Sequence, residues 1–66
     1  MTEFVALVLR NNGVEKVSQL PTQRLVKLEA ELWWDMNTGV EGYNAIYLDW
    51  ADVKDALREK GIEVTH

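Results

Sequence analysis

The sequence predicts a mainly α-helical fold, a small domain of three helices. Three observations predict it. Apolar residues recur every three or four positions in three stretches, glycines at 13, 39 and 61 stand where each stretch would stop, and the lone proline, Pro21, precedes the longest stretch rather than interrupting it. The same residues also admit an α+β domain, with a hairpin or small sheet from residues 3–18 and 43–48 packed on two helices. Residues 1–66 are expected to form one compact domain, because so short a chain can fill only one core.

The first helix is expected from Thr2, a good N-cap, to about Arg10, with Glu3 in its first turn and Gly13 as a left-handed stop. Phe4 through Leu9 are all apolar, so this helix is expected to be nearly surrounded by protein. Asn12-Gly13 is also a strong hairpin signal, but Val14, Val17 and Leu20, spaced by threes, fit a short helical turn better than a strand.

The second helix follows Pro21, with Ser18 or Thr22 as its cap, and runs to Asn37 with Gly39 as its stop. Its apolar arc is Leu25, Val26, Leu28, Leu32, Trp33 and Met36. Residues 35–44 read as loop and Tyr43 to Leu48 as extended, after which Asp49 caps a third helix that buries Trp50, Val53 and Leu57 and ends at Gly61. Alternatively this helix starts at Asn44, since Tyr43, Ile46, Trp50, Val53 and Leu57 also form a helical stripe. Ile62 to Thr65 is a tail that packs or pairs.

Composition bounds the function. The chain is 47% hydrophobic with three tryptophans, enough to build a core. It has no cysteine, so disulfides and thiolate chemistry are excluded and a reducing, cytoplasmic setting is expected. The longest apolar run, Phe4 to Leu9, is far short of a membrane span, and no membrane partner is expected. Net charge is −4, unevenly spread: Arg10, Lys16, Arg24 and Lys27 outnumber Glu3 and Glu15 in residues 1–28, whereas three bases face nine acids in residues 29–66. That balance disfavours phosphate binding and suits a basic protein surface.

Catalytic and metal constellations fail on inspection. The only serine is Ser18 and the only histidine the terminal His66, which rules out a nucleophilic triad and marks His66 as a tail residue. Asp35, Asn37, Gly39 and Glu41 have the alternate spacing of a calcium loop, but Val40 replaces the turn glycine and Ile46 the closing glutamate. No glycine-rich phosphate loop is present. We expect no enzymatic activity, no cofactor and no metal.

Two residues of the second helix break its pattern: Glu29 falls inside the apolar arc and Trp34 on the polar side. An outward Trp34, with Tyr43 and Tyr47, is the expected aromatic anchor for a partner. Asp52, Asp55 and Glu59 share one direction on the third helix, as an acidic stripe for a basic surface or as ordinary amphipathicity with dipole matching. Glu29 is expected to pair internally with a tyrosine hydroxyl, an indole N–H or a base; the alternative is a homodimer with Glu29 and Trp33 at the seam. Arg10, Arg24 and Lys27 form a thin basic patch, the basis of a second reading as a helical nucleic-acid-binding module.

The expected function is that of a small intracellular regulator or inhibitor, monomer or homodimer, that docks on a larger protein with a basic surface. Its size and charge suit a phage-type inhibitor of a host or defence enzyme.

Overall fold

The computed structural model describes residues 1–39 and 43–65 and, of Tyr43, the backbone alone. Three α-helices, α1 (Glu3–Asn11), α2 (Thr22–Thr38) and α3 (Tyr43–Glu59), make the fold, with one 3-10 turn at Val17–Gln19 between α1 and α2. The mainly α class therefore holds. Of the residues expected as a hairpin or small sheet in the α+β alternative, 3–11 and 43–48 are α-helical and 12–18 form turns and the start of the 3-10 turn, and the described residues contain no strand.

α1 starts as its sequence dictates. Thr2 is extended, and its Oγ1 accepts the Val5 backbone N–H at 3.4 Å. The helix stops at Gly13, whose φ of 66° lets Val14 N–H reach back to the Leu9 carbonyl and Gly13 N–H to that of Arg10. Next, Gln19 organises the 3-10 turn: its Oε1 accepts the backbone N–H groups of Glu15 and Lys16 at 3.0 and 2.9 Å.

α2 begins without a side-chain cap. Neither Ser18 nor Thr22 takes that role; Pro21 occupies the cap position at φ −59°, and its carbonyl accepts Leu25 N–H. Gly39, at φ 71°, closes the helix.

The third helix departs from the main expectation. It begins at Tyr43, well ahead of Asp49, so Tyr43 to Leu48 is helical rather than extended and the alternative start near Asn44 is the one observed. The physical reason is that Asp49 serves a distant segment. It lies on the inward face, only 3% exposed, and its Oδ2 accepts the Thr2 backbone N–H at 2.6 Å, while the Met1 amine stands 3.9 Å from Oδ1. A carboxylate that fastens α1 to α3 in this way cannot also cap α3.

One core joins the three helices. Val5, Val8 and Leu9 of α1 meet Leu25, Leu28 and Leu32 of α2 and Ile46, Val53 and Leu57 of α3, with Leu20 closing the connection and Ile62 and Val64 of the tail packed against the cluster. Burying each such side chain contributes about 1.5–3 kcal/mol. α1 is not surrounded, contrary to the expectation from its apolar run: Phe4 and Leu7 are exposed, because only one flank of the helix meets the α2–α3 pair. Val26, expected in the α2 arc, also faces outward.

Candidate docking surfaces

The inner seam of α2 and α3 is closed by aromatics around one carboxylate. Glu29, 7% exposed, accepts the Trp50 indole N–H at 2.9 Å on Oε2. The Trp33 ring is tilted 40° to that of Trp50 with centroids 5.2 Å apart, Tyr47 lies 5.9 Å from the same ring, and the Lys54 ammonium sits 4.6 Å from its centroid. Glu29 thus pairs with an indole of its own chain. Trp33, the other residue of the expected dimer seam, is partly buried against the same core.

Trp34 is the opposite case. One residue on from Trp33, it is turned about 100° round the helix and left 69% exposed. It borders a groove with Phe4, Ala30, Glu31 and Asp35. Phe4 and Asp35 also border a second groove, where Leu32, Ala45 and Ile46 form the opposite side. Of the expected site of Trp34, Tyr43 and Tyr47, the two described side chains have different neighbours. Trp34 stands with Phe4 on the α1 side, Tyr47 belongs to the Trp50 cluster, and the Tyr43 side chain lies outside the described residues.

The acids hold together better than the aromatics. Asp52, Asp55 and Glu59 are all exposed, on one stripe of α3, and border a shallow groove whose far side is Glu15 to Ser18. None of the three is in an ion pair among the described residues. Leu48, one turn ahead of Asp52, is 64% exposed and extends the stripe with an apolar head.

The basic residues are less concentrated. Arg10 lies exposed in the last turn of α1, Lys27 is exposed on α2, and Arg24 Nη1 is 3.6 Å from Glu31 Oε1, which offsets part of its charge. Asn37, part of the calcium-like spacing, donates its amide to the Trp33 carbonyl at 2.7 Å inside α2, and Glu41 lies outside the described residues, as does His66. No group of three or more metal-ligating side chains comes together among the described residues. No described helix is long and apolar enough to cross a membrane.

Sequence reasoning missed Phe4, Leu7, Val26 and Leu48 as surface residues. The signal was present for α1: a short helix that is apolar all round cannot be covered by two neighbours lying on one side. No family model, curated protein or solved structure matches the chain.

Proposed function

We propose that the chain works by binding: it is a small regulator that docks on a larger protein, presenting the Asp52, Asp55 and Glu59 stripe, headed by Leu48, to a basic surface. One observation carries this reading. α3 begins at Tyr43, so the three acids fall in its second half and Glu59 is its last residue. Dipole matching would place acids in the first turn; here the negative end of the helix faces Glu59, at a cost of about 0.3–1 kcal/mol. Spacing adds to the cost. Asp52 with Asp55, and Asp55 with Glu59, are like charges at three and four residues, each destabilising by roughly 0.2–0.5 kcal/mol, and the single opposite-charge pair of Asp55 with Arg58 at three residues offsets only one of them.

Stability therefore does not account for the stripe, whereas attraction to a basic partner does, through faster encounter and rejection of acidic surfaces. Leu48 supplies the apolar contact that fixes such an encounter. The test is affinity capture from the source cell's extract with the native chain and with Asp52→Lys/Asp55→Lys/Glu59→Lys, both verified as folded. A protein retained by the native chain, lost with the triple variant and released by added salt supports the proposal. Equal retention by both chains, or none by either, refutes it.

A further inference from the structure

The outer stripe of α2 carries a second surface, distinct from the acidic stripe of α3 and independent of its use. Val26, Ala30 and Trp34, four residues apart, are all exposed. Such a row forms an i±4 ridge, the kind that packs into the matching groove of another helix. Charges flank it in order: Arg24 and Lys27 lie in the N-terminal part, Glu31 and Asp35 in the C-terminal part.

We propose that the chain pairs with a second copy of itself through this stripe, as an antiparallel two-fold dimer crossing at Ala30. Helix geometry sets the register. With Ala30 at the centre, Val26 and Trp34 lie about 40° to either side of the seam, while Lys27 and Glu31 lie about 60° and 100° round the same flank. A two-fold axis at Ala30 keeps that flank together in both copies and reverses the chain direction.

At 1.5 Å rise per residue, Lys27 of one copy then stands about 4.5 Å along the axis of the other, about 3 Å from the level of Glu31, whereas Asp35, about 140° round from the seam, lies off the interface. Those two carboxylates border the groove that lies between Phe4 and Trp34. The groove's border contains no base; Arg24 stands 3.6 Å from Glu31, beyond good hydrogen-bond length, and Lys27, four residues before Glu31 on the same helix, makes no ion pair with it among the described residues. A lysine from the second copy adds a cation to this flank and lays its methylenes on Phe4. Val26 of each copy stands level with Trp34 of the other on the opposite flank of the seam, and the small side chain of Ala30 lets the helices approach.

An isologous seam makes a strict prediction about charge. Lys27→Glu alone sets acid against Glu31 of the second copy, and Glu31→Lys alone sets base against Lys27. Each variant should self-associate about tenfold more weakly than the native chain, since like charges across an interface are repelled. An equimolar mixture restores opposite charges at both crossings and should recover native-like association.

Sedimentation velocity over a concentration series reads all four samples, with far-UV circular dichroism to confirm folding. Ala30→Glu, at an exposed position, is the second probe and should abolish dimerisation without loss of helix. A native chain monomeric at every concentration overturns the proposal. So does a dimer indifferent to Ala30→Glu, or one that both single charge variants leave at native strength.

Discussion

Removing the indole N–H at the α2–α3 seam has the largest calculable effect. In Trp50→Phe, Glu29 Oε2 loses the donor that now stands at 2.9 Å in a buried setting. A hydrogen bond to a charged group contributes about 1.5–3 kcal/mol. The smaller ring also leaves space and weakens contact with Trp33, Tyr47 and Lys54, at a further cost of roughly 1–2 kcal/mol. The sum is about 2.5–5 kcal/mol. A chain of 66 residues has a total stability of roughly 3–10 kcal/mol, so the variant loses between a quarter of its stability and all of it.

Urea unfolding followed by circular dichroism measures the change, with an unchanged slope showing that the transition is the same one. Glu29→Gln, which keeps an acceptor oxygen for the indole, should cost only about 1 kcal/mol. The reasoning is refuted if Trp50→Phe costs less than about 1 kcal/mol at constant slope, since the seam would then not depend on the bond.

Other expectations are smaller. Asp49→Ala removes the acceptor of the Thr2 N–H, and should cost about 2 kcal/mol and raise amide exchange in α1 more than in α2, read by hydrogen exchange. Gly13→Ala meets no neighbour within 4 Å but sits at φ +66°, so its cost is conformational alone, about 1–2 kcal/mol, with Gly13→Asn milder in thermal unfolding. Glu59→Lys should raise stability by about 0.5 kcal/mol in the same assay while weakening partner capture, a combination that separates the stripe's functional role from a structural one.

The sequence made α1 and α2 legible because their signals are local. Thr2 caps, Gly13 and Gly39 stop, and Leu25, Leu28, Leu32 and Met36 keep helical register on one face. α3 was harder, since Asp49 resembles an N-cap and its real partner, Thr2, is 47 residues away in the chain; no local rule reaches that far. Glu29 was readable as an inward carboxylate seeking a donor, and Trp50 is that donor. That Trp34 and Tyr47 have different neighbours was not readable. It depends on which flank of α2 receives α1, and the uniform apolar run of α1 gives its packing direction no sequence label.

The self-pairing of α2 depends most on an outward Trp34, which the fold leaves 69% exposed. Acrylamide quenching of the native chain and of Trp34→Phe, at dilutions where the chain is monomeric, isolates the emission of that indole from Trp33 and Trp50. The account predicts a red-shifted, readily quenched component that disappears in the variant. A Trp34 signal as shielded as that of Trp50 at every dilution would contradict it.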